Sequence, residues 1–394
     1  MTVGDMCLAA VSQLGRTALR VVPVPDDLAG GGLVRVEAAA VCGTDWAHYT
    51  DEAFWSRGAV ILGHENVGEL VALDPAGPWG DAHSTGGGVA VGDRVVVEEV
   101  LPCGRCPGCR DGQAHRCPAT DFRTPGALRY GRTPLRVAPG LWGGFAELLY
   151  VHPRAGLHRV PDDVSSHVAA FSNPVANGLR WLQQVAGLRH GEHVAVLGPG
   201  AHGLGCVLAA RAAGAGTVVA GGLAVDVQRL RDAETLGADL TVRADHDDAA
   251  ERILEATAGH GADVVVDLAP GSAASVDLAV RAAAVGGRVL LAGHKGGRSA
   301  PVDVDAVLRK ELTLAGVRGP NRRAHAGALQ VLQRYADRVT RLHTVTLPLT
   351  LVDEALRLVG RHDGRGASHV VVDPRSTAKA VEAPVRTPAQ QERP

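Results

Sequence analysis

The sequence is poor in aromatic side chains, with five Trp, four Tyr and four Phe among 394 residues, and it has only two Met. Few large rings are available to fill a core. The apolar 46% is carried mostly by Ala, Val and Leu. That mixture suits layered α/β packing, because Val favours strands while Ala and Leu favour helices. An excess of one charge is also missing: 40 Lys and Arg face 42 Asp and Glu, for a net charge of −2. Such a balance gives no basic footprint, so neither nucleic acid nor an acidic membrane surface is an expected partner. No run of ~18 apolar residues escapes interruption by Gly, His or charge, which argues against a membrane span. Residues 1–16 contain Asp5 and lack a cationic stretch ahead of an apolar run, so no targeting peptide is expected. The seven cysteines are an odd number, and four of them fall between positions 103 and 117. A secreted disulfide framework is normally short and even-numbered. The expectation is a cytoplasmic protein with a metal site.

What the chain does have is glycine, 50 residues of it, and a change of texture near residue 165. At ~150 residues per domain the length allows two or three domains. Before the change, short Val-rich runs at 33–40, 67–73, 93–97 and 144–151 alternate with Gly, Pro and Asp clusters. They read as strands of an irregular, mostly antiparallel domain. After it, strand, glycine turn and Ala-rich helix repeat. Strands are expected at 193–197, 217–220, 263–268, 288–292 and 312–317, with helices at 204–213, 227–236, 248–257 and 272–285. This alternation predicts a parallel sheet covered on both faces. Helices at 324–338 and 352–361 and a strand at 369–372 break the rhythm and are assigned back to the first domain. Residues 375–394 read as a disordered tail. The long loops 74–90 and 121–141 have the size of functional loops.

Cys103, Cys106, Cys109 and Cys117 form C-x2-C-x2-C-x7-C. Short turns can aim four thiolates at one centre, and Zn²⁺ accepts four sulfurs at ~2.3 Å in a closed tetrahedron. A closed site is structural and performs no chemistry. A second set is more open. Cys42-Gly43-Thr44-Asp45 lies 22 residues before Gly63-His64-Glu65 when Cys42 is counted to His64. Together they offer a thiolate, an imidazole and a carboxylate, the donor types of a catalytic zinc. Asp45 is placed to hold the far nitrogen of His64. Thr44 can set a hydroxyl beside an open zinc position, and His48 can extend a proton relay outward.

Gly198-Pro199-Gly200-Ala201-His202-Gly203 is a G-x-G-x-x-G loop between an expected strand and an expected helix. In that context it predicts a dinucleotide site, with the phosphates at the helix N-terminus. The ribose-binding acid expected roughly 20 residues later is replaced by Gly221-Gly222-Leu223. Gly222 leaves room for a 2′-phosphate, with Arg229 or Arg231 to neutralise it; both NAD and NADP stay open.

These pieces and their order resemble a zinc-dependent medium-chain dehydrogenase of the alcohol, polyol and threonine dehydrogenase type. CGTD, GHE, GDRV at 92–95, the cysteine lobe and GPGAHG carry the likeness, which spans residues 7–373. The resemblance implies an α/β fold in which a GroES-like irregular β-barrel catalytic domain is split around a doubly wound Rossmann domain. It then divides the chain into a catalytic domain at 1–164 with its zinc lobe at about 98–120, a Rossmann domain at 165–318, a return segment at 319–374 and the tail. It also implies hydride transfer between NAD(P) and an alcohol or carbonyl, catalytic and structural zinc, and homodimers or homotetramers joined partly by sheet edges. One position departs from the pattern. Asn173 stands where many members carry a third zinc ligand, and a neutral amide binds zinc poorly. Either Glu65 ligates directly, as in sorbitol-dehydrogenase-like members, or the site is weak; the first is favoured. Trp46, Phe54, Trp55, Trp142 and Asn173 are the expected cleft wall, around a polyol, sugar-like or secondary-metabolite alcohol. The alternatives are a redox-neutral enzyme with retained cofactor and a zinc-ribbon binding module.

Overall fold

The computed structural model describes residues 6–55, 58–79, 88–121, 124, 126–246, 248–360 and 367–376. Parts of the two long loops and positions 377–394 of the expected tail lie outside these. The first part of the chain builds a twisted antiparallel sheet around the strand Gly32–Ala40. That strand pairs with Glu65–Leu73 on one side and, on the other, with Leu148–Val151 at one end and His369–Val372 at the other. Glu65–Leu73 continues to Arg94–Val97 and then Leu157–Arg159. The strand His369–Val372 arrives from the far end of the chain and carries Thr344–Leu347 alongside it in parallel. The late segment therefore completes the early sheet.

A hairpin of Met6–Gln13 and Arg16–Pro23 was not expected from the sequence. Its turn residues Leu14 and Gly15 both have positive φ, 50° and 69°, as a two-residue hairpin turn of type I′ needs. The usual marker of that turn is Asn-Gly or Asp-Gly, and leucine hides it. The second strand also leaves most of its side chains in solvent, so it shows no buried-face alternation.

The middle of the chain forms a six-stranded parallel sheet. Its order is Leu240–Arg243, Val218–Gly222, Val194–Leu197, Ala262–Asp267, Ala283–Leu291 and Thr313–Gly316. This is the order of a doubly wound dinucleotide fold, with its switch point beside the first strand, where ligands bind. The helix expected over 272–285 stops at Ala282, and the next strand begins at Ala283. Ala283 pairs with Ala262, and a register shift follows as the chain turns through Gly286 at φ 73°. Alanine suits the helix here, but sheet pairing prevails. The helix expected over 324–338 also breaks: Arg322–Arg334 ends at Tyr335 before the short Ala336–Val339.

One apolar cluster fills the barrel around Phe145, Leu70 and Trp142. A second runs from Ala38, Val67 and Val96 of the barrel sheet to Leu204 and Val207 of the glycine-loop helix Ala201–Ala212. The helix Ser172–Leu179 crosses that helix at very close range. A Cβ at Gly205 would lie 2.4 Å from the backbone of Pro174, and one at Gly178 would lie 2.8 Å from the carbonyl of Gly205. Glycine at these two positions lets the backbones touch.

Candidate active site

Cys42 ends the run that follows the strand Gly32–Ala40 and caps the helix Gly43–Thr50. Helix geometry brings Asp45 back over the cap, and its Oδ2 accepts the Cys42 N–H at 3.0 Å. The other oxygen meets His64 Nδ1 at 3.0 Å and the Gly63 N–H at 3.4 Å. One buried carboxylate thus joins the helix start to the turn before the strand Glu65–Leu73. Burial opposes its ionisation, but His64 and the Cys42 N–H outweigh burial and hold the Asp45 carboxyl below its ordinary range. With Nδ1 of His64 engaged, Nε2 faces the site, 3.4 Å from Thr44 Oγ1.

Cys42 Sγ, the inward nitrogen of His64 and a carboxylate oxygen of Glu65 lie within 4.8 Å of one another, and all three residues are buried. Burial alone would raise the Cys42 thiol; hydrogen bonds from His202 and His64 reverse this and bring it down to about 5. Burial and the Cys42 thiolate push Glu65 up to about 7. A crowded, desolvated set of anionic donors is what a divalent cation relieves, and the donor types suit zinc. Asn173, on the helix Ser172–Leu179, donates its amide N–H to Glu65 Oε1 at 2.6 Å. His48 is further out, its ring 4.4 Å from that of Phe54. Burial and nearby Arg132 push its imidazole down to about 3, so it stays neutral.

The four lobe cysteines meet the same proximity test as a second group. Cys106 and Cys109 sulfurs stand 3.4 Å apart, Cys103 and Cys109 sulfurs 4.0 Å apart, and the Cys103 N–H points to Cys117 Sγ at 3.3 Å. Thiolates on a tetrahedral zinc are ~3.8 Å apart, given bonds of ~2.3 Å, so the lobe fits that ion. Arg318 pins the lobe by donating to the His115 carbonyl at 2.6 Å.

The glycine loop fits a dinucleotide. Gly198 has φ 101°, a Cβ on Gly203 would collide with the Gly198 carbonyl at 2.0 Å, and a Cβ on Gly200 would meet nothing within 4 Å. The turn, the tight helix–strand approach and an open face for the pyrophosphate are all there.

Two family models match the chain. Residues 29–162 match the alcohol dehydrogenase GroES-like domain and residues 201–334 the zinc-binding dehydrogenase domain. Over 305 residues the chain is 41% identical to a Mycobacterium tuberculosis protein named "Probable alcohol dehydrogenase adh", covering 76% of this chain and 79% of that one. The chain belongs to the zinc-dependent medium-chain dehydrogenases. An erythritol/L-threitol dehydrogenase of Mycolicibacterium smegmatis is 34% identical, with 63% of this chain and 66% of that one covered. A Sinorhizobium meliloti zinc-binding dehydrogenase, solved bound to NADP, superposes with a TM-score of 0.77 at 28% identity, over 94% of this chain and 100% of that one. The dehydrogenase is accordingly an NAD(P)-dependent zinc oxidoreductase that moves a hydride between the nicotinamide and an alcohol or carbonyl. The matched proteins lend nothing to a redox-neutral enzyme or a zinc-ribbon module.

Several side chains of the dehydrogenase sit where spacing did not put them. Trp142 is 2% exposed, inside the barrel core, with its indole N–H on the Val137 carbonyl at 2.8 Å. Phe54 is also core. Trp46 packs on Gly360, where a Cβ would lie 1.9 Å from its ring. Trp142 and Phe54 are rings of the barrel core and half-buried Trp46 packs against it, while the Trp55 side chain lies outside the described residues. Arg229 is buried, bound to Asp226 Oδ1 at 3.1 Å and to the Ala367 carbonyl at 3.1 Å. Its charge is committed there, so it is not a 2′-phosphate ligand. Gly222 has a packing reason, since a Cβ would lie 2.8 Å from Pro199 and 3.1 Å from Leu230.

Two features of the site emerge only from the folded chain. Lys295 Nζ binds Asp267 Oδ2 at 2.8 Å, the Ala269 carbonyl at 2.6 Å and Ser275 Oγ at 3.0 Å, at the C-terminal end of the parallel sheet. Only the sheet brings these three segments together. His202, read as part of the loop, sends Nε2 to 3.5 Å from Cys42 Sγ. Its place in the first helical turn was legible, but the direction of its ring was not.

Proposed function

We propose that the enzyme oxidises a hydroxyl-rich alcohol, and reduces the matching carbonyl, at a zinc held by Cys42, His64 and Glu65. The observation that carries this is the joining of two sites: the buried donor set touches the helix of the glycine loop through His202 and Cys42. When bound, the zinc supplies Lewis acidity at the substrate oxygen and the nicotinamide supplies or takes the hydride. The chain does the positioning. Asp45 fixes the tautomer and ring plane of His64. Asn173 holds one oxygen of Glu65 and so aims the other. Thr44 offers its hydroxyl to the substrate proton, and neutral His48, one helical turn on, passes it outward. Cys103, Cys106, Cys109 and Cys117 hold a structural zinc.

A polar substrate is supported by a cavity of about 80 Å³ beside Asn173. Its walls include Glu99, His115, Thr120, Arg129 and Arg318. Both ring nitrogens of buried His115 lack a hydrogen-bond partner within the protein. Such walls suit hydroxyls better than an alkyl chain. The catalytic and cofactor parts are read as 1–164 with 319–374, and 165–318. A homodimer is supported by the edge strand Thr313–Gly316, with exposed Val304 and Leu308 on the helix just before it. Seven free cysteines fit a reducing cytoplasm. No described helix is long and apolar enough to cross a membrane.

The test is a panel of polyols, sugar alcohols and simple alcohols with NAD⁺ or NADP⁺, read by absorbance of the reduced cofactor. Turnover confined to long-chain alcohols refutes the polar-substrate reading. Glu65→Gln with zinc counted per chain tests the ligand set: unchanged stoichiometry and affinity remove Glu65 from it.

A further inference from the structure

His202 belongs to two sites at once. It is the second residue of the helix Ala201–Ala212, inside the loop that faces the dinucleotide phosphates. Yet its Nε2 lies 3.5 Å from Cys42 Sγ and 3.9 Å from Glu65 Oε1. Donors sharing a tetrahedral zinc, with bonds of ~2.0–2.3 Å, are separated by ~3.3–3.8 Å. The ring is therefore at ligand spacing from Cys42 and just beyond it from the Glu65 oxygen that Asn173 holds, standing at the edge of the group formed by Cys42, His64 and Glu65. Its other nitrogen has a partner suited to ligation. Asn177, 4% exposed, places its amide nitrogen 3.2 Å from His202 Nδ1, while its buried Oδ1 has no partner. Turning the amide by half a rotation puts Oδ1 on Nδ1–H. That satisfies the stranded oxygen and frees the Nε2 lone pair, the arrangement in which a histidine ligates metal. The ring is not locked in, since 27% of its side chain is exposed.

We propose that His202 is a fourth protein donor to the active-site metal in the cofactor-free enzyme, and that dinucleotide binding withdraws it. This rests on the reading of Cys42, His64 and Glu65 as ligands. Four protein donors close a zinc site, whereas an alcohol needs an open position. His202 rides on the element that receives the cofactor, so docking there is coupled to opening the metal. Coupling is reciprocal: metal at Cys42 weakens dinucleotide binding by the same factor by which dinucleotide weakens metal binding.

The full chain loaded with Co²⁺ tests this through its visible spectrum and by chelator competition. Expected in the unaltered protein is a four-coordinate spectrum that changes when NAD⁺ or NADP⁺ is added without alcohol. His202→Ala lowers affinity at this site at least about tenfold, and cofactor no longer shifts the bands. Asn177→Ala leaves the imidazole in place and strips its partner, with a loss of about 10–100-fold. Cys42→Ser identifies the bands of this site against those of the cysteine lobe. Bands unchanged by Cys42→Ser overturn the ligand reading itself. Bands removed by Cys42→Ser but unmoved by His202→Ala, or by cofactor, overturn only the role of His202.

Discussion

Replacing Asp45 by Asn keeps the shape and removes one acceptor, and the structure fixes the consequence. In the native site Oδ1 serves His64 Nδ1 at 3.0 Å and Oδ2 serves the Cys42 N–H at 3.0 Å. An amide has one oxygen. If it stays on His64, the NH₂ group faces the Cys42 N–H and a buried donor is left unpaired, costing about 1–3 kcal/mol. If it turns to Cys42, the NH₂ group faces Nδ1 and forces the imidazole proton onto Nε2, the nitrogen aimed at the metal. The first orientation leaves His64 a neutral acceptor in place of a carboxylate, and the second puts the proton on Nε2 and blocks ligation. Loss of such a supporting partner costs about 10–100-fold in metal affinity, equivalent to about 1.4–2.7 kcal/mol. Asp45→Asn should therefore lose zinc from one site in a chelator titration while the cysteine lobe keeps its own. Its denaturant midpoint should fall in the zinc-free protein as well, because the N–H is orphaned with or without metal. Zinc affinity within about twofold of the parent refutes the view that the charge of the Asp45 carboxylate supports His64 as a ligand.

Cys106→Ser should release the second zinc and loosen the lobe that Arg318 holds through the His115 carbonyl, seen as zinc stoichiometry and faster proteolysis near residue 105. Arg229→Ala should destabilise by about 3–5 kcal/mol, because it leaves buried Asp226 without its partner, yet leave the preference between NAD and NADP unchanged; a shifted preference refutes the structural assignment of Arg229. Glu98 is buried, which opposes its charge, but the hydrogen bond to His158 at 2.7 Å outweighs this and lowers its carboxyl from 4.5 to about 2. A carboxyl depressed in the folded state contributes stability above its unfolded value, here about 4.5, and loses it as pH falls toward about 2. Acid unfolding curves should show this, on the order of 3 kcal/mol, and Glu98→Gln should flatten them.

The parts of this molecule that could be read from sequence are those set by short-range rules. The helix Val227–Leu236 and the strand His369–Val372 stand where periodicity placed them. So do the cysteine lobe and the loop glycines, whose spacing is itself the geometry. Where the reading failed, the deciding contact is distant in sequence. Trp142 looked like a wall of the cleft because aromatics are scarce, but Tyr130 and Tyr150 surround it in the barrel. Arg229 looked like a phosphate ligand because it follows the loop, but its partner carbonyl is at Ala367. The roles of His202 and Lys295 depend on how two layers meet, which no local pattern encodes.

The contact at Gly178 and Gly205 has a consequence for anyone rebuilding this protein. Two backbones meet there with no side chain between them, one from the helix that supports Glu65 and one from the helix that receives the cofactor. Modular exchange of cofactor halves between relatives is limited by this seam. A transplanted nucleotide domain with alanine at position 205 would push its helix off Pro174 and carry His202 away from Cys42. A chimera would keep its glycine loop and its zinc donors intact yet lose their alignment. Swaps that cut outside both helices and move them as one block avoid this failure.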